Sequence, residues 1–239
     1  MARRRHNWFA TVIGGIGEIL MTLGIIVLLF VVWELWWTNF DAEKAQKAAT
    51  QNLFAEYTPA KGMDDLKLTI GEGDVFGVMY APRLGENYAV PISEGTTDEV
   101  LNTVGLGHYP ETQWPGETGN FAIAGHRQTH GAVLWNQDKF VDGDKVYVQT
   151  LDAFYTYQVK VTKIVQPSQS EVIAPNPMNP NQNPDSSWLT LTTCHPPYTT
   201  LERMITHAEL VDTRPASDGP PAEIEQIVEK TVTAAQAGN

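Results

Sequence analysis

Apolar residues run from Phe9 to Trp37, relieved by the polar side chains of only Thr11, Glu18, Thr22 and Glu34. Crossing a hydrocarbon core of about 30 Å takes about 20 helical residues. Val12–Trp33 supplies that length if Glu18 is accommodated. Trp33, Trp36 and Trp37 close the run, and amphipathic rings suit the headgroup level. Asp41–Gln51 then switches to Ala, Lys, Glu and Gln, all good helix formers. The pattern predicts a helical stalk continuing from the apolar segment, followed by a linker over Thr58–Asp65.

From Asp74 the period changes to short β-type runs separated by turn residues. Phe76–Tyr80 and Tyr88–Ile92 flank a loop over Pro82–Asn87. Phe121–Ala124 reads as a buried strand ending at Gly125. Lys145–Thr150, Phe154–Val165, Trp188–Thr193 and Arg203–Val211 complete the set. Asp98–Asn102 predicts one short helix, with Thr97 as N-cap and two acids in its first turn. Pro175–Pro184 holds four Pro and four Asn and predicts a long irregular loop. Such loops are uncommon in compact domains unless they form a wall or lid. After Arg214 the chain is rich in Pro, Ala and Glu, which predicts a disordered tail in which Ile224–Val232 could form a weak helix. The fold class is therefore all-β, a barrel or sandwich with one minor helix. The expected division is 1–37 anchor, 38–65 stalk and linker, 66–213 domain and 214–239 tail.

Charge refines this division. The chain carries −12 overall, whereas residues 1–37 hold three Arg and two Glu, so −13 lies beyond Trp37. Arg3, Arg4 and Arg5 before the apolar run, with Asp41 and Glu43 after it, predict a cytoplasmic N-terminus and an external domain. A cleaved signal peptide would need a small-residue cleavage site, and Trp33-Glu34-Leu35-Trp36-Trp37 is a poor one. The acidic domain argues against nucleic acid as a partner.

Cys194 is the one cysteine, so outside the cytoplasm it is a free thiol without a disulfide partner. A thiol paired with histidine is a candidate nucleophile. His126 follows a buried strand and a glycine, where a rigid element delivers a side chain to a rim. His130 and His207 are the next candidates; His207 could equally be a satisfied barrel histidine. His195, adjacent to Cys194, would point to the opposite strand face. Arg203 opens the strand after the cysteine strand, and its planar fork suits a carbonyl oxygen or oxyanion. From spacing alone a surface ion pair with Glu202 or Glu209 is the better explanation. His126-x-x-x-His130 with Cys194 is a weak metal pattern, bracketed by Gly125 and Gly131 and lacking a glutamate after His126.

Thr190-Leu191-Thr192-Thr193-Cys194 followed by Arg203 resembles the Thr-Leu-x-Thr-Cys…Arg signature of sortases. Ile123-Ala124-Gly125-His126-Arg127 resembles that family's catalytic histidine segment. Gly107-His108-Tyr109-Pro110 and Cys194-His195-Pro196 are most similar to the class E group of actinobacteria. The resemblance implies a membrane-anchored, eight-stranded β-barrel with one or two short helices. It also implies a cysteine transpeptidase that cuts a sorting signal between Thr and Gly. Cys194, His126 and Arg203 would be catalytic, and Tyr109, Thr192 and Thr193 would contact substrate. Tyr109 would bear on a Leu-Ala-x-Thr-Gly against a Leu-Pro-x-Thr-Gly preference; alternatively it packs on the barrel. Partners would be signal-bearing surface proteins and an amine from a lipid-linked cell-wall precursor or a pilin lysine. No metal or organic cofactor is implied, and no calcium-loop spacing is present.

Three rivals follow from the same residues. Water in place of the amine makes a hydrolase. A pilin polymerase would share the site, but no Asp-Pro-Trp/Phe lid tripeptide occurs between Thr58 and Asp74. A non-catalytic surface-binding module would leave Cys194 as an inert packed thiol.

Overall fold

The computed structural model describes residues 8–55 and 67–237, and in it eight strands close into one barrel. They are β1 (Val75–Tyr80), β2 (Ala89–Glu94), β3 (Leu106–His108), β4 (Gly119–Gly125), β5 (Lys145–Gln149), β6 (Ala153–Val165), β7 (Ser187–His195) and β8 (Glu202–Pro215). The order around the barrel is β1-β2-β3-β4-β7-β8-β6-β5, with β5 pairing back onto β1. β2–β3 and β4–β7 are parallel, and the other pairs are antiparallel. The eight-stranded barrel implied by the resemblance is thus the observed fold. β3 was not legible in the pattern: three residues with a central glycine carry no period.

Alternation sorts the strands into two faces. Phe121 and Ile123 of β4 and Leu189 and Leu191 of β7 fill the interior with Phe76, Ile92, Leu106 and Val148. Asn120, Ala122 and Ala124 of β4 and Thr190, Thr192 and Cys194 of β7 take the outer face. A parallel pair also ends both strands at one rim, so whatever follows β4 stands beside the end of β7.

Helices cover part of the outside. α1 (Trp8–Val32) continues through a π-helical turn, Trp33–Trp37, into α2 (Thr38–Ala55). Within it Thr11–Val32, 22 residues, is apolar and long enough to cross a membrane and is unburied. The stalk expected over Asp41–Gln51 lies in α2, but it is no free rod. Ala42 and Thr50 are buried against the domain, and Leu53 packs on an outer cluster of Val78, Tyr80, Tyr147 and Phe154. The expected linker over Thr58–Asp65 lies outside the described residues, as do Arg3–Arg5 and His6. The short helix appears as α3 (Asp98–Thr103), with Thr97 at its N-cap position but making no side-chain cap bond.

The disordered tail expected over 214–239 is corrected. β8 runs on to Pro215, and α4 (Glu225–Ala237) follows. Ile224, Ile227 and Val228 are buried on the same outer cluster, with Val232 beside them. Their i, i+3, i+4, i+8 spacing is one helical face. The weak helix allowed over Ile224–Val232 is therefore present, docked on the barrel and continued to Ala237.

Candidate active site

Cys194 is the penultimate residue of β7, half-buried at the strand end. Its register partner across the antiparallel β7–β8 pair is Arg203. Directly opposed residues on neighbouring strands project to the same face, with Cβ atoms about 5 Å apart. The third group comes from the other side. β4 runs parallel to β7 with Ala124 opposite Thr192, so His126 leaves β4 level with Cys194. The three strands β4, β7 and β8 therefore bring His126, Cys194 and Arg203 to one lip of the barrel.

Each side chain has a support. His126 is half-buried, and its Nε2 lies 2.8 Å from Asn102 Oδ1 at the end of α3. An amide oxygen only accepts, so Nε2 carries a hydrogen and Nδ1 is left for proton exchange. Burial pushes the His126 pKa down, the neighbouring His130 adds to that, and Asp98 opposes it. The His130 ring stands 5.4 Å from the His126 ring, centroid to centroid. Arg203 Nη1 donates to the carbonyls of Thr200 and Glu202, each at 3.0 Å, which folds its stem back along the β7–β8 turn. Among the described residues it makes no ion pair. Glu209, one of the two carboxylates considered for that pairing, sits 3.5 Å from Lys160.

Substrate-facing candidates divide by parity. Thr192, two residues before Cys194, shares its face, and its Oγ1 lies 3.0 Å from the Tyr109 hydroxyl. Tyr109 is half-buried, and its backbone N–H donates to the Ala122 carbonyl. Thr193, the other threonine expected to contact substrate, does not share that face. It is buried on the opposite face and donates to the Gly125 carbonyl at 2.7 Å. There it ties the end of β4 to β7, one residue before both His126 and Cys194.

A model of the sortase domain matches residues 79–211. The chain belongs to the sortase family. That family consists of cysteine transpeptidases. Sortase SrtE2 of Streptomyces coelicolor is 32% identical over 243 residues, covering 93% of this chain and 92% of that protein. Sortase SrtE1 of the same organism is 35% identical over 228 residues, or 92% of this chain, which spans only 63% of SrtE1. The solved structure of sortase E from Streptomyces avermitilis superimposes with a TM-score of 0.58 at 39% identity, over 64% of this chain and 97% of that one. These names agree with the class E resemblance read from the Gly107–Pro110 and Cys194–Pro196 segments.

Three other histidines of the sortase barrel are engaged with neighbours away from Cys194. His207 is buried with its Nδ1 2.9 Å from Thr190 Oγ1, and burial pushes its pKa down to about 3. His108 is buried beside Glu94, with Nδ1 to Oε2 at 2.7 Å. His195 does leave the Cys194 face, as parity predicted. Its Nδ1 meets Arg127 Nη1 at 3.1 Å, while Arg127 Nη2 reaches Asp138 at 3.0 Å. Arg127 and Asn102 were not singled out in the sequence. Arg127 follows His126 directly, yet nothing in spacing says that its guanidinium turns inward. Asn102 has no signal at all beyond lying in the last turn of a short helix.

Proposed function

We infer that this sortase is a membrane-anchored cysteine transpeptidase acting outside the cytoplasm on proteins with a C-terminal sorting signal. The observation that carries the reading is the register: Cys194 opposite Arg203, with β4 delivering His126 at the same level. The thiolate of Cys194 attacks the carbonyl carbon of the signal's Thr. The Thr–Gly C–N bond breaks, and His126 as imidazolium protonates the leaving amine. The Arg203 fork holds the carbonyl oxygen while charge develops on it. A thioester remains on Cys194. An incoming amine attacks it, His126 takes the amine's proton, and the thiolate leaves. The amine comes from a lipid-linked cell-wall precursor, and the apolar Thr11–Val32 helix keeps the enzyme at that membrane. The depressed His126 pKa limits the share of enzyme holding thiolate and imidazolium together at neutral pH. Turnover is therefore slow.

The Tyr109–Thr192 pair supports a preference for Leu-Ala-x-Thr-Gly, because it sets a hydroxyl on the outer face two residues from the nucleophile. The loop over Pro175–Pro184 forms one wall of the groove. Incubating the chain with Leu-Ala-x-Thr-Gly and Leu-Pro-x-Thr-Gly peptides, with and without an added amine, tests both levels. Cleavage after Thr, with an amide product only when amine is present, is the expected result. Uncleaved peptide, or hydrolysis that the amine never diverts, contradicts transfer. Tyr109→Phe should reduce the Ala-over-Pro preference without loss of cleavage, and an unchanged ratio removes the hydroxyl from the specificity account.

A further inference from the structure

α2 does more than join the barrel to the apolar helix; it fixes which end of the barrel faces the membrane. The helix is continuous from Trp8 to Ala55. Asn39, two residues past Trp37, accepts through Oδ1 from the Gly131 N–H at 2.8 Å. That puts the loop leaving His126 beside the first turn of α2. Gln46 comes next along the same face, over Gly105 and Gly131. A Cβ on Gly131, whose φ is +86°, would stand 2.6 Å from Gln46 Nε2, so α2 sits on bare backbone there. Leu53, at the far end of α2, packs with Ala216 on the cluster around Phe154, at the opposite end of the barrel. The 14 residues from Asn39 to Leu53 span about 21 Å at 1.5 Å per residue. The docked face, Asn39, Ala42, Gln46, Thr50 and Leu53, follows helical spacing throughout.

The catalytic lip is thus the end nearest the apolar helix, and it carries apolar side chains that the barrel does not use. Tyr198 and Leu201, in the turn between Cys194 and Arg203, are 67% and 69% exposed. Trp135, four residues past Gly131, is 42% exposed and meets Tyr198 ring to ring at 6.0 Å. Trp33 and Trp37, at the end of the apolar helix, are exposed as well. With a net charge of −12 the protein gains nothing general from anionic lipid, so contact rests on the tether and on these side chains.

We propose that the Trp135–Tyr198–Leu201 lip rests on the outer lipid headgroups, held there by α2 docked on the barrel, so that Cys194 opens toward the bilayer surface. The occupant of the patch is lipid because the membrane-length apolar segment ends at Val32, about two helical turns before Asn39, which bonds the loop that leads on to Trp135. Aromatic rings at such a position favour the headgroup layer. Isolated exposed apolar side chains are ordinary, but a cluster at one rim beside a spanning helix marks a contact surface. The inference rests on the anchoring reading above. It adds that a lipid-linked amine reaches the thioester from the membrane side, over a short and fixed distance.

The full chain in vesicles of phosphatidylcholine with a minor share of phosphatidylglycerol tests it. In a Cys194→Ala background no other thiol exists, so a nitroxide can be placed on Tyr198→Cys, Leu201→Cys or Ser217→Cys, the last at the Ala216 end. The expected result is headgroup-depth accessibility at 198 and 201, with oxygen favoured over a water-soluble nickel chelate, and full water exposure at 217. Ala42→Glu, which places a charge in the α2 interface, should shift the 201 label toward water. Failure to co-float with vesicles overturns the anchoring reading and this inference with it. Co-flotation with 198 and 201 as water-exposed as 217 overturns this inference alone. An Ala42→Glu label at unchanged depth overturns the role given to α2.

Discussion

His126 and His207 belong to the same outer face of the same three-strand patch, β4, β7 and β8, and they have opposite fates. His207 sits mid-sheet opposite Thr190, buried, with one ring nitrogen bonded to that threonine and a pKa near 3. His126 stands just past the end of β4, half-buried, with Nε2 held by Asn102 and Nδ1 left over. Mid-strand positions are covered by their neighbours, so His207 is closed off there, bonded through Nδ1 alone with Nε2 buried and, among the described residues, without a partner. Strand ends keep one side open and gain rigidity from the ladder behind them. The lip proposed as catalytic uses ends only: the end of β7, the start of β8 and the residue after β4.

Exchanging the two rings for alanine is the strongest way to break this contrast. His126→Ala should lower turnover by about 10³-fold while leaving thermal stability nearly unchanged, since general acid–base groups contribute about 10²–10⁴-fold. His207→Ala should do the reverse, costing about 2 kcal/mol of stability through a buried cavity and a lost bond to Thr190, whose hydroxyl keeps only Asn120, with turnover per folded enzyme retained. Peptide-cleavage kinetics and thermal melts on both variants check it. Normal turnover in His126→Ala with a collapse in His207→Ala would reverse the assignment.

Arg203→Lys comes next in size. An ammonium keeps the charge but cannot supply the fork, so a loss of about 10²-fold in turnover with little change in KM is expected. Rescue by lysine would reduce the role of Arg203 to its charge.

How legible this was in the sequence depends on the kind of evidence each residue leaves. Cys194, His126 and Arg203 lie at the ends of β-type runs, but spacing alone left His126 with rivals and favoured an ion pair for Arg203; the motif singled them out. Pairing is another matter: nothing in the chain says that β4 lies parallel to β7 rather than beside β3 alone, and that pairing is what sets His126 level with Cys194. Thr193 was chosen for its place in the motif, whereas its parity puts it on the face opposite Cys194. β3 was too short to register, and α4 was legible only as a weak helix, because its docking on the barrel depends on the outer cluster it meets. Asn102 and Arg127 act through side-chain geometry, which leaves no periodic trace.

The electrostatics around His126 sharpen the contrast further. His130 lowers the His126 pKa and Asp98 raises it. His130→Ala should therefore raise that pKa, moving the acid limb of the pH–rate curve upward and raising its plateau. Asp98→Asn should move both down. Shifts in the same direction for the two variants would show that the limb belongs to another group.

A further contrast concerns His207 and acid. Its folded pKa is depressed from 6.5 to about 3, so the unfolded chain binds the proton first. The stability held by the neutral ring is complete above 6.5 and is lost as pH falls toward 3, at up to about 1.4 kcal/mol per pH unit. His207→Gln should flatten that part of the curve in melts taken between pH 7 and 4. An unaltered slope would assign the acid sensitivity to other groups.

The central claim is that Cys194 at this lip forms the acyl intermediate. Intact-mass spectrometry of the protein incubated with a Leu-Ala-x-Thr-Gly peptide and no amine measures it directly. The account predicts a mass increase equal to the acyl fragment ending in Thr, located on Cys194, reversed by hydroxylamine and absent in Cys194→Ala. Peptide turnover that persists in Cys194→Ala, or an adduct located on any other residue, would contradict it.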